Sequence, residues 1–238
     1  MERLSFSFAR KPELAYISHL DMMRLLLRAL RRSGLPIAYS QGYNPHPRLT
    51  LALPLPLGVT ATEEYGEVYF SESVGPQIFL EKLHRQLPPA LELTGVFNRK
   101  PELPALAAEV SAAQYRVFIE TYINQGLFFQ DLNSAIISLL DKEEILMERI
   151  NKKKKVTYKN IRPYIFKANL KQEEKNMLEL GLLLKAGSSG GVSPFFVIEQ
   201  LQQAGSALKL AEDGLWLVHR QKLYKGPEEA LQPLSEGM

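Results

Sequence analysis

The first half of the chain alternates between two-residue and three-to-four-residue hydrophobic periods. Over 3–8, Leu4, Phe6 and Phe8 fall on one side and Arg3, Ser5 and Ser7 on the other, which predicts a half-buried strand. Residues 15–17 read as a short extension of it. Ser18 then stands as a helix cap with Asp21 three positions on. Leu20, Met23, Leu27 and Leu30 recur at helical spacing, with Leu26 beside them, and Gly34 and Pro36 end the helix. A second strand is expected over 36–40, resuming at 49–53. Pro54 and Pro56 cannot donate to a ladder and put their stretch at a sheet edge or beyond it. A third strand (65–71), a short helix (76–87) and a fourth strand (91–97) complete a βαββαβ order.

The second half repeats that order less clearly. A strand is expected over 115–122. A helix comes next over 127–140, with Leu132, Ile136, Leu139 and Leu140 on one face, and 145–150 extends as strand or helix. Then come a strand (178–185), a helix capped by Ser193 (194–204) and a hairpin-like strand region (208–218) turned at Asp213-Gly214. The fold class is therefore α+β: two tandem ferredoxin-like units, or alternatively one continuous α+β domain. The expected division is a first domain over 1–98, a Pro-, Ala- and Glu-rich linker over 99–112, and a second domain over 113–225. A basic insertion spans 151–175, and a frayed tail runs from 226 to 238.

Composition narrows the chemistry. The chain has 238 residues, 45% hydrophobic and 23% charged, the balance of a packed globular protein. It has no cysteine, which excludes disulfides, thiolate metal sites and cysteine nucleophiles. The four histidines show no metal-ligand spacing. No leader pattern and no span of ~20 apolar residues is visible, so a cytoplasmic protein without a membrane role is expected.

Charge is segregated. Residues 1–50 hold eight Lys/Arg against three Asp/Glu, and 149–175 hold ten against two, although the whole chain is only +3. Two basic zones thus sit on an acidic remainder, a pattern that creates local positive fields.

Five stretches carry candidate chemistry. Arg24, Arg28, Arg31 and Arg32 crowd one side of the first helix, as a solvated face or as phosphate contacts. The loop 41–48 is stiffened by Pro45 and Pro47 and presents Tyr43, Asn44, His46 and Arg48, suited to stacking and phosphate binding or to packing on the fold. Lys152, Lys153, Lys154 and Lys155, with Tyr158 and Arg162 beyond them, read as a solubilising stretch or a salt-dependent nucleic-acid contact. The glycine-rich 187–194 turn opens a helix, as a flexible connection or an anion cradle without Walker or Rossmann spacing. His19 and His46 are the only candidates for an acid–base pair, and neither has a placed nucleophile or carboxylate.

The motifs Ile17-Ser18-His19-Leu20-Asp21-Met22-Met23-Arg24, Arg28-Ala29-Leu30-Arg31-Arg32-Ser33-Gly34-Leu35-Pro36, Tyr39-Ser40-Gln41-Gly42-Tyr43-Asn44-Pro45-His46-Pro47 and Leu53-Pro54-Leu55-Pro56-Leu57-Gly58-Val59 resemble the radical SAM-linked protein family. A looser match continues at Asn160-Ile161-Arg162-Pro163 and Gly190-Gly191-Val192-Ser193-Pro194. The resemblance implies a bacterial companion, or C-terminal fusion partner, of a cobalamin-type radical SAM protein. That partner would carry S-adenosylmethionine, an iron–sulfur cluster and cobalamin, with no cofactor in this chain. Members are often encoded near an RNase and ribosomal proteins, which leans towards RNA. The expected function is an accessory that binds RNA or presents it for modification. The alternatives are a histidine-dependent RNA-processing enzyme and a pure interaction module for the radical SAM partner.

Overall fold

The computed structural model describes residues 2–120, 125–150, 155–173, 176–204 and 216–237. In chain order the elements are β1 (Glu2–Arg10), α1 (His19–Arg32), β2 (Leu49–Leu51), β3 (Val59–Phe70), α2 (Pro76–His84), β4 (Leu91–Asn98), α3 (Leu106–Glu109), β5 (Val110–Glu120), α4 (Gln125–Asp141), β6 (Leu146–Ile150), β7 (Val156–Asn160), β8 (Ile165–Gln172), β9 (Met177–Lys185), α5 (Pro194–Ala204), β10 (Trp216–Lys225) and β11 (Gln232–Pro233). Strand pairing is mostly antiparallel, so the α+β class holds. Among the described residues no helix is long and apolar enough to cross a membrane.

The chain divides into two compact units, 1–111 with 219–238, and 112–218. In the first, the strand order is β4-β1-β3-β10, with β2 on β3 and β11 on β10. Phe6 pairs in register with Gly66, and a side chain at 66 would begin 2.5 Å from the Phe6 ring, so only glycine lets that ring lie across the strand. Leu4, Phe6 and Phe8 pack with Phe70 and Phe79 under α1 and α2.

Four expectations change here. The buried stripe of α1 is Met22, Leu26, Ala29 and Leu30, while Leu20 is exposed. Apolar residues occupy two adjacent faces of this helix, so periodicity alone could not choose between them. The polar side of β1 is not solvated either: Ser5 and Ser7 are buried. Residues 99–109, expected as linker, are tied to that side. Glu67 bridges Arg3 (3.5 Å) and Arg99 (3.0 Å) and accepts from the Leu106 backbone N–H (2.9 Å), and Arg99 pairs with Glu109. The stretch read as a frayed tail belongs to the first unit, where β11 pairs with β10 and Leu234 is fully buried.

The second unit carries the path β5-β9-β8, antiparallel throughout. Phe128, Leu132, Ile136 and Leu139 of α4 and Val197, Ile198 and Leu201 of α5 are buried, and α4 packs against β8 and α5. Strands β6 and β7 form a separate exposed hairpin, so the stretch 145–150 is strand rather than helix. The expected turn at Asp213-Gly214 lies outside the described residues.

Candidate functional site

Ser18 starts α1 as its cap. Its Oγ accepts from the Asp21 backbone N–H (3.1 Å) and donates to the Asp21 carboxylate (2.7 Å). That hydroxyl and the Arg24 guanidinium hold the Asp21 carboxyl below the usual carboxylate range. With Met22, Leu26 and Ala29 facing the core, Arg24 and Arg28 point to solvent from the opposite side.

This side of α1 faces the turn after α2. Asp21, Arg24, Leu25, Arg28 and Arg32 from the helix, and Arg85, Gln86, Leu87 and Pro88 from the turn, line an open groove of about 720 Å3. Arg32 fixes the two walls, donating from Nε to Gln86 Oε1 (3.1 Å) and from Nη2 to Gln86 O (2.7 Å). Arg24 pairs with Asp21 (2.9 Å). Arg28 and Arg85 make no hydrogen bond or ion pair with a described residue. Four guanidinium groups therefore face one carboxylate, a field that favours a ligand carrying several negative charges along its length.

The loop is separate from the groove: no residue of 41–48 lines it. Its stem is a narrow hairpin in which Tyr39 bridges Pro47, Arg48 N donates to Ala38 O (2.9 Å) and Ser40 N donates to His46 O (2.9 Å). His46 is engaged within the stem, its Nδ1 2.9 Å from Ser40 Oγ. Arg48 stacks on the Tyr69 ring at 3.9 Å. At the tip Tyr43 is wholly exposed, with Asn44 beside it. Arg48 and His46 thus brace the loop, and Tyr43 and Asn44 are what it offers.

Other expected site residues scatter. His19 borders a small gap with Phe8, Met22 and Glu64, which His46 does not line. Arg31 is exposed but does not line the groove. Lys152, Lys153 and Lys154 lie outside the described residues, whereas Lys155 and Tyr158 are exposed on the β6–β7 hairpin. Arg162, expected at phosphate, instead donates to Leu140 O (2.7 and 2.9 Å) and Ile165 O (3.0 Å), where it covers carbonyls at the end of α4. No group of histidines and carboxylates that could hold a metal occurs among the described residues.

Sequence reasoning missed two sets of residues. Arg85 joins the groove from a turn with no motif around it. Arg10 and Arg220 hold the backbone of the motif segment from below. Arg10 donates to Leu14 O, Ala15 O (2.9 Å) and Ile17 O (2.7 Å), just ahead of the Ser18 cap. Arg220, with no exposed surface, donates to Leu53 O (2.9 Å) and Pro54 O (3.2 Å) and pairs through both nitrogens with buried Glu64. No local signal marks Arg220, because its partners stand 156 or more residues away in the chain.

Among solved structures the chain is similar to a Cbf5–Nop10–Gar1 complex chain (9% identity, TM-score 0.43, covering 92% of this chain and 48% of that one). It is also similar to a chain of an H/ACA RNP bound to a substrate RNA containing 2′-deoxyuridine (8% identity, TM-score 0.41, 92% and 47%). The chain spans about half the length of these two chains. No curated protein matches it. The family described as "Uncharacterized protein conserved in bacteria (DUF2344)" matches residues 3–194, and the chain belongs to that family.

Proposed function

We propose that this chain is a non-catalytic accessory that binds single-stranded RNA along the α1 groove, and that it serves the radical SAM protein implied by the sequence resemblance. The observation that carries this reading is the pair Arg28 and Arg85, brought from two elements to one groove and held in no ion pair or hydrogen bond with a described residue. Guanidinium groups so placed contact phosphates without reading sequence. Tyr43, exposed on a braced loop, supplies a face on which an unstacked base can sit. Lys155 and Tyr158, exposed in the second unit, offer a further contact of the same kind. Fluorescence anisotropy with a labelled single-stranded RNA tests it. With about three phosphate contacts, affinity should fall on the order of tenfold between 50 and 200 mM salt. Salt-insensitive binding, or none, overturns the proposal.

A second reading, docking of a protein partner, is favoured by exposed apolar residues in the motif segment. Tyr16, Leu20 and Leu57 are all exposed, and Gly58 N donates to Ala15 O (2.8 Å), which joins the stretches carrying Tyr16 and Leu57. Co-purification of the radical SAM protein with wild type but not with a Tyr16→Ser/Leu57→Ser variant would support it.

A further inference from the structure

The second unit holds a cationic cluster that the RNA reading does not use. Tyr164 lies just beyond β7, and two lysines lie over its ring: Lys159 Nζ at 4.6 Å from the centroid and Lys185 Nζ at 5.0 Å. Arg149, on β6, shares one face of the β6–β7 pair with Lys159, since Met147 pairs with Lys159 and Arg149 with Thr157 in register, and its positive charge reaches the Tyr164 hydroxyl. None of the three cations has an ion pair with a described residue, although the same unit pairs Arg116 with Glu179. A ring face attracts each ammonium weakly but supplies no counter-charge. Three like charges around one hydroxyl stay mutually repelled until an anion joins them.

The backbone closes in on the same point. Gly190, at φ +113°, brings the 187–191 turn so near that a side chain there would begin 3.2 Å from both Lys159 Nζ and the Tyr164 hydroxyl. The turn therefore walls the cluster with backbone, and a compact anion fits that space better than a bulky one. The Tyr164 hydroxyl, acidified first by its hydrogen bond with Lys159 and then by the charge of Lys185 and Arg149, is a good donor towards such an anion.

We propose that Arg149, Lys159, Tyr164 and Lys185, walled by the turn at Gly190, form a second anion site that takes the dianionic phosphate group of a monoester or of free phosphate. Three cations with no carboxylate match a charge near −2 better than the single charge of a carboxylate or a phosphodiester. The site is distinct from the α1 groove, which is open and suits a run of diesters.

Calorimetric titration of the full chain with inorganic phosphate, AMP and adenosine tests this. AMP or phosphate should bind and adenosine should not; phosphate alone binding identifies the free ion as ligand, and tighter AMP binding identifies a nucleotide or a 5′-phosphorylated end. A Lys159→Gln/Lys185→Gln variant should weaken binding at least about tenfold, as expected for lost charged hydrogen bonds. An Arg28→Ala/Arg85→Ala variant should leave it unchanged, so that failure of the groove reading and failure of this one are told apart. Saturating phosphate should also raise the alkaline midpoint of one tyrosine absorbance titration, and Tyr164→Phe should abolish that shift. No binding of either phosphate or AMP, or equal binding by the double lysine variant, overturns the proposal.

Discussion

The first unit uses arginine in two opposite ways. Arg220 is wholly buried and every nitrogen meets a carbonyl or the Glu64 carboxylate, whereas Arg28 lies in the open on α1 with no hydrogen bond or ion pair to a described residue. Arg10 belongs with the first kind and Arg85 with the second. A buried guanidinium is tolerated only when its hydrogen bonds are supplied, so it pins whatever supplies them. Here that is the backbone at 14–17 and 53–54, the two stretches that flank the capped start of α1 and the run into β3. An exposed guanidinium costs little to keep and is free to meet a ligand. The unit thus holds its charge-bearing helix on a scaffold of fixed charge.

The largest effect should come from breaking the fixed set. Arg220→Met leaves Glu64 buried without its partner and strands two carbonyls, a loss of about 3–5 kcal/mol in urea unfolding. The variant should also acquire a distinctive pH profile. Burial already pushes the Glu64 carboxyl up, against the pull of Arg220 and Arg10, and removing Arg220 raises it further. A carboxyl that titrates higher in the folded than in the unfolded chain favours folding when protonated. The variant should therefore regain stability relative to wild type as pH falls from 7 towards 5, and lose it again as pH rises. An Arg220→Met/Glu64→Leu pair removes the unpaired charge and should recover part of the loss at neutral pH.

The exposed set should behave the other way. Arg28→Glu/Arg85→Glu changes unfolding free energy by no more than about 0.5 kcal/mol, because neither side chain has a partner to lose among the described residues. It should nonetheless reduce RNA affinity by an order of magnitude or more and lower the slope of log K against log salt by about one for each contact removed. A variant that unfolds instead would erase the distinction between the two sets.

That distinction was not written in the sequence, whereas much of the frame was. The alternation of Leu4, Phe6 and Phe8, the Ser18 cap and the stop at Gly34 are local signals, and each reappears in the fold. The arginines of α1 were legible as a face because helix geometry alone places them there. Arg220 was not, since Glu64 stands 156 residues away and only tertiary pairing makes one the partner of the other. The same holds for Arg99 and Glu67, which turned a polar linker into a packed segment. Arg162 was misjudged in the opposite sense: a basic neighbourhood suggested phosphate, and the carbonyls at the end of α4 claimed it.

Asp21 sits between the two behaviours and gives the finest test. It is exposed, yet it serves the cap through Ser18 and holds Arg24 at 2.9 Å. Asp21→Asn removes the charge while nearly keeping the shape. The first turn of α1 then loses a favourable anion at its N-terminus, and stability falls slightly. Arg24 is released into the groove at the same time, and because a surface pair of this kind is weak, RNA affinity should rise by no more than about fivefold at low salt. The gain should fade towards 1 M salt, where screening reaches within ~3 Å. A destabilised protein that binds more tightly is the signature of a groove whose cations act on a ligand, because a purely structural role for Asp21 predicts weaker binding or none of the change.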